Sequence, residues 1–181
     1  PQAVTAAPRL LFLGRLDPRN GLDRILAAMP RVLAAFPRAE LIVAGDGPLR
    51  RIYEGRARAL GDRVRFLGRV YDERPALYGS ADLYLCPTNK ASFGITLLEA
   101  MACGTPIVGS DICGFRELVR DGKSVLLPPD DPEAWAETVV RLIRDPEQRA
   151  EMRAWGLEKA AQYSWADVSA RVLEVYRRVA R

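Results

Sequence analysis

Six short apolar runs without polar alternation constrain this chain more than any other feature: Leu10–Leu13, Leu41–Ala44, Val64–Leu67, Leu83–Cys86, Pro106–Val108 and Val125–Leu127. A strand with one wet face alternates apolar and polar residues. A continuous apolar strand is covered on both sides, as in a parallel sheet flanked by helices. The intervening segments carry helical spacing. Leu22–Phe36 places Leu22, Ile25, Leu26, Met29, Val32, Leu33 and Phe36 on one face. Further helices are predicted over Pro48–Leu60, Glu73–Gly79, Gly94–Ala102 and Gly114–Arg120. Strand and helix in strict alternation imply right-handed crossovers and an open α/β sheet wrapped on both faces.

The tail breaks that rhythm. Pro132–Arg144, Pro146–Tyr163 and Ser164–Arg181 read as three successive helices, each with a start signal: Asp131 before Pro132, Asp145 before Pro146, and Ser164 with Asp167 three residues on. The whole is a Rossmann-like, six-stranded parallel sheet with a C-terminal helical tail. At 181 residues, with 49% apolar and 28% charged side chains, it reads as one globular domain. No apolar run approaches the ~20 residues of a membrane span. Pro1–Pro8 does not have the pattern of a signal peptide.

The net charge of +4 fits ordinary solubility, or attraction to a phosphate-bearing ligand or an anionic membrane. Many of the arginines fall in residues 141–181, where like charges usually mark a solvated face. Cys86, Cys103 and Cys113 form no CxxC pair, which argues against a disulfide framework or a zinc site and for a reduced, cytosolic setting. The chain has no histidine, so its chemistry proceeds without imidazole as base or metal ligand.

In a doubly wound sheet, ligands bind beyond the carboxyl ends of the strands. Three loops there hold candidate chemistry. Gly14-Arg15-Leu16-Asp17-Pro18-Arg19-Asn20-Gly21 brings Arg15 to the sheet edge beside a helix start, an arrangement suited to a diphosphate or simply a surface turn. Pro87–Gly94 leads into a helix whose first amides, around Gly94–Leu97, form an anion site. Glu99, one turn further in, can accept two ribose hydroxyls if it faces the cleft, or lies exposed on the helix if it does not. Gly45-Asp46-Gly47-Pro48 is a tight turn. Asp46 belongs to no DxD pair, so no metal site is expected.

Taken in order, these segments resemble the donor-binding domain of family-4 glycosyltransferases with the GT-B fold. The resemblance rests on Phe12-Leu13-Gly14-Arg15-Leu16, Ala44-Gly45-Asp46-Gly47-Pro48-Leu49, Phe66-Leu67-Gly68, Phe93-Gly94-Ile95 and Leu98–Gly104. It continues through Pro106-Ile107-Val108, Ser110-Asp111, Gly114–Val119 and Asp121-Gly122, and extends from about Leu10 to the end of the chain. Ser92-Phe93-Gly94-Ile95 and Tyr163-Ser164-Trp165 look most like the phosphatidylinositol mannosyltransferase branch.

The resemblance implies transfer of a sugar from a UDP- or GDP-sugar to an acceptor hydroxyl, with retention of configuration and without cofactor or obligate metal. It makes residues 1–181 the donor half of a two-domain enzyme, with the acceptor on an N-terminal partner domain that is not in this chain. Nucleic acid is not among the expected partners. A cytoplasmic setting, with peripheral contact at the inner face of a membrane through the full-length protein, is expected.

By position, Arg15 matches the family's diphosphate arginine. Asn20 stands where the family has a catalytic lysine, with Arg19 beside it. Glu99 matches the ribose-binding glutamate. The family's sugar-contacting glutamate falls on Ala91. Helix-start amides at Gly94, Ile95 and Thr96 hold the diphosphate from the other side, Gly14 and Phe93 are further substrate-binding positions, and backbone from Gly68 to Val70 frames the base. Loss of one such polar contact typically costs a factor of ~10²–10³ in rate. Three readings follow: an active donor half, a degenerate binding or scaffold domain, or deliberate substitutions at Asn20 and Ala91. A dinucleotide-binding dehydrogenase is disfavoured, because the first strand–helix loop lacks GxGxxG.

Overall fold

The computed structural model describes residues 7–119 and 123–179. Arg120, Asp121 and Gly122, which end the fifth expected helix and the run of family-like segments, lie outside the described residues. So do residues 1–6 and 180–181.

Six strands form one parallel sheet: β1 (Arg9–Leu13), β2 (Glu40–Ala44), β3 (Val64–Gly68), β4 (Leu83–Cys86), β5 (Ile107–Ser110) and β6 (Val125–Leu127). Their order is β3-β2-β1-β4-β5-β6. The helices are α1 (Leu22–Ala35), α2 (Arg50–Ala57), α3 (Arg74–Gly79), α4 (Ile95–Ala102), α5 (Cys113–Val119), α6 (Pro132–Arg144), α7 (Pro146–Ala161) and α8 (Trp165–Val179).

Strand side chains alternate between two separate cores. Leu10, Phe12, Leu41, Val43, Leu83 and Leu85 point to one face and pack with α1, α6 and Tyr53 of α2. Leu11, Ile42, Ala44, Tyr84 and Cys86 point to the other and pack with Tyr78 of α3, Leu97 and Met101 of α4, and Phe115 of α5. Both faces of the central strands are thus buried, as their composition requires. The edge strand β3 differs from the expectation of two covered faces: Arg65 and Leu67 stay exposed, bordering an open hollow beside Leu77 and Ser80, while Phe66 packs inward.

The tail helices start where their caps place them. Asp131 accepts the Ala134 amide (3.0 Å) and Asp145 accepts that of Gln148 (2.8 Å). Ser164 accepts the Asp167 amide (3.1 Å) and donates to its carboxylate (2.7 Å), a capping box. One arginine departs from the solvated-face expectation. Arg149 is buried, and its Nη1 donates to the carbonyls of Leu142 and Ile143, both at 2.6 Å, closing the end of α6.

The strand order reverses between β1 and β4. Their loops diverge there, and a crevice opens at their carboxyl ends.

Candidate functional site

The turn after β1 is fixed by backbone. Gly14 N–H donates to Ala44 O and Leu16 N–H to Asp46 O, each at 3.0 Å, binding it to the loop after β2. Asp17 caps the single 3-10 turn Pro18–Asn20. Asn20 Nδ2 donates to the Arg15 carbonyl at 2.8 Å. Arg15 and Arg19 extend from this turn largely exposed, with one anion within reach of both: Asp17 Oδ2 lies 3.6 Å from Arg15 Nε and 4.0 Å from Arg19 Nη2. An exposed pair at such distances is weak, so both guanidinium groups remain available to a ligand.

The loop after β4 is anchored to that turn by Thr88. Its buried hydroxyl donates to the Arg19 carbonyl at 3.0 Å, and the Asn89 amide donates to the same oxygen at 3.0 Å. Further along, Gly94 has φ +91°, and a Cβ there would sit 2.9 Å from the Phe115 ring. Glycine therefore permits α4 to begin at this point. The amides of Leu97 and Leu98 donate to the Gly94 carbonyl, at 2.9 and 3.2 Å, so of the expected Gly94–Leu97 amides Leu97 is already engaged, and those of Ile95 and Thr96 carry the positive end of α4. Gly114 lets α5 approach: a Cβ would lie 2.2 Å from the Ala91 carbonyl.

Between these loops lies a cleft of about 400 Å³, lined by Gly14, Arg15, Arg19, Asn20, Lys90, Ala91, Phe93, Gly94, Ile95 and Thr96 among others. A second lobe of about 270 Å³ continues over the loops after β2 and β3, lined by Asp46, Arg69, Val70, Tyr71 and Arg74 among others. The lobes share Leu13, Gly14, Arg15 and Thr96. Of the expected site residues, Gly14, Arg15, Arg19, Asn20, Val70, Ala91 and Phe93 to Thr96 line these two adjoining lobes, whereas Gly68, Leu97 and Glu99 line neither.

Although Glu99 lines neither lobe, 33% of its side chain stays exposed. Its Oε2 accepts bonds from Arg74 Nη2 and, at 3.0 Å, from the Tyr78 hydroxyl. Burial, reinforced by the Glu99 charge, pushes the Tyr78 phenol well above its ordinary range, so it remains a donor to Glu99. Arg74 lines the second lobe itself, and its buried Nε has no hydrogen-bond partner among the described residues.

Four residues escaped the sequence reading: Lys90, Arg74, Tyr78 and Thr88. Arg74 and Tyr78 lie four apart on α3 and so share a face, the one signal that pointed to a pair of donors. A larger groove of about 770 Å³ runs between α1 and α6, distant from these loops. Its lining mixes Arg31, Arg141 and Arg144 with Glu137, Asp145 and Glu147, Arg31 Nη2 lies 2.7 Å from Glu137, and Arg144 lies over the Phe36 ring.

A family model described as Glycosyl transferases group 1 matches residues 7–145. The phosphatidyl-myo-inositol mannosyltransferase of Mycobacterium leprae is 40% identical over 181 residues, covering 96% of this chain and 48% of that protein. The D-inositol 3-phosphate glycosyltransferase of Thermobispora bispora is 37% identical over 180 residues, covering 92% of this chain and 42% of that protein. The chain thus spans about half the length of the curated relatives it matches. Among solved structures, Anabaena HepE in complex with UDP and glucose superposes with a TM-score of 0.87 at 24% identity, covering 97% of this chain and 49% of that one. No helix among the described residues is long and apolar enough to cross a membrane.

Proposed function

Because the chain belongs to the group 1 glycosyl transferases, we propose that it binds a nucleoside-diphosphate sugar across the two-lobed cleft and serves retaining transfer of that sugar to an acceptor hydroxyl. The carrying observation is that Arg15 and Thr96 border both lobes. A diphosphate spanning them lies between a guanidinium and the positive end of α4. The smaller lobe then takes the nucleoside of UDP or GDP, with Val70 against the base. Glu99 Oε1 accepts the ribose hydroxyls, while Arg74 and Tyr78 hold Oε2. The larger lobe takes the sugar, past Gly94 and Ile95. Charge developing on the departing diphosphate is stabilised by fixed dipoles and cations, with neither histidine nor cofactor.

Residues 1–181 act as one donor-binding unit beside a second, acceptor-binding domain. Trp165, Val168, Val172, Tyr176 and Val179 form one exposed apolar stripe along α8, suited to burial against that domain. The names of the mannosyltransferase relatives support an acceptor of lipid type, and work in the cytoplasm at the inner face of a membrane belongs to the same reading.

A second reading has its own observation. Asn20 directs its amide to Arg15, and Ala91 presents a methyl to the larger lobe. A domain so equipped can hold a donor without turning it over. Amide chemical-shift mapping with UDP tests the shared site. Perturbations clustered at Gly14–Arg15, Val70 and Gly94–Thr96 are expected. Perturbations confined to the groove between α1 and α6 would reject it.

A further inference from the structure

We propose that Lys90 is the residue that distinguishes nucleoside diphosphates from monophosphates in this cleft, by gripping the distal phosphate. The proposal rests on the reading of the cleft as a nucleotide site.

Three cations line the larger lobe: Arg15, Arg19 and Lys90. Arg15 and Arg19 share the Asp17 carboxylate. Lys90 has no ion-pair partner among the described residues, so its charge is unopposed where an anion would lie. Its backbone is held as well. The Lys90 amide donates to Thr88 Oγ1 at 3.5 Å, and Thr88 is itself bonded to the Arg19 carbonyl. One buried threonine therefore keeps residue 90 alongside residues 19 and 20, while the four-carbon stem leaves the ammonium free to reach.

Position assigns the phosphate. Arg15 borders both lobes, whereas Lys90 borders only the larger one, away from Val70 and Arg74. A nucleoside in the smaller lobe puts its first phosphate at Arg15 and Thr96 and the second one toward Lys90. Asn20, neutral and bonded to Arg15, cannot supply that charge. The cation comes from the β4 loop instead of the β1 loop.

Calorimetric titration of the 181-residue chain with UDP, GDP, UMP and GMP tests this. Lys90→Met keeps the stem and removes the charge. It is expected to weaken both diphosphates about tenfold, in the range of one charge-assisted hydrogen bond, while changing the monophosphates less than about twofold. Lys90→Arg is expected to retain most of the diphosphate preference. Asn20→Lys added to Lys90→Met is expected to recover it. Arg58→Ala, on a surface outside the cleft, controls for net charge. Equal losses for UDP and UMP in Lys90→Met, or no loss for either, would overturn the assignment to Lys90 and leave the nucleotide site standing. Failure of the unaltered chain to bind any of the four would overturn both.

Discussion

Asn20 and Arg15 close the turn after β1 upon themselves: the side-chain amide of Asn20 donates to the Arg15 carbonyl at 2.8 Å. The residue that sets the direction of the turn is thus chemically separate from the one that presents charge. Asn20 contributes shape and Arg15 contributes the guanidinium.

Asn20→Ala removes the internal bond, a loss of about 1 kcal/mol for an exposed hydrogen bond. UDP affinity is expected to fall by a factor of about five, with faster amide exchange at residues 16–20. Replacing both positions, Asn20→Lys with Ala91→Glu, is expected to raise sugar transfer at least about tenfold in the presence of the acceptor-binding half. Unchanged transfer would show that these two positions do not limit turnover.

Gly94→Ala is expected to damage the site more than the fold. It forces a β-carbon to φ +91° and against the Phe115 ring at 2.9 Å. Left-handed strain in a non-glycine residue costs about 1–2 kcal/mol. Relief requires the Phe115 ring or the start of α4 to shift, and both border the larger lobe. Thermal unfolding is expected a few degrees lower, with UDP binding lost altogether.

Arg149→Met is expected to do the reverse. The substitution takes the Arg149 donor from the Ile143 carbonyl and leaves the Leu142 carbonyl with the Asp145 amide. A cost of about 1–3 kcal/mol in urea unfolding is expected, with nucleotide affinity unchanged.

Alkali should unfold this domain in a particular way. Burial raises the phenols of Tyr78, Tyr84 and Tyr53. Unfolded, each ionises near pH 10, so above about that pH the folded chain holds more protons than the unfolded one. Their contribution is complete below about pH 10 and drains away above it, by up to about 1.4 kcal/mol per pH unit for each tyrosine. Urea midpoints measured from about pH 9 to pH 11 should fall accordingly. Tyr78→Phe should flatten the slope while lowering stability at neutral pH through the lost bond to Glu99.

Much of this architecture is written locally. A parallel strand buried on both faces must be continuously apolar, so Leu10–Leu13 and Leu83–Cys86 could be delimited from composition alone. Caps such as Asp131 and Asp145 act over three residues and were equally legible. The second helix was not bounded so well. Pro48 reads as its first residue, yet the helix begins at Arg50, because Leu49 N–H is drawn to the Leu16 carbonyl at 3.0 Å and holds the preceding residues in a turn.

Arg149 looked like part of a solvated row until the end of α6 folded over it. The site shows the same division. Arg15 and Gly94 announce themselves through adjoining turns and helix starts. Thr88 acts on Arg19 across 69 positions, and Arg74 on Glu99 across 25, contacts that no local pattern encodes.

Calorimetric titration of UDP and GDP into the unaltered chain and into Arg15→Ala bears on the pocket as a whole. Micromolar affinity, about −8 kcal/mol, is expected for at least one of the two nucleotides, weakening tenfold or more in Arg15→Ala. Absence of binding by the unaltered chain, or equal affinity in the two proteins, would contradict a diphosphate site between Arg15 and the start of α4.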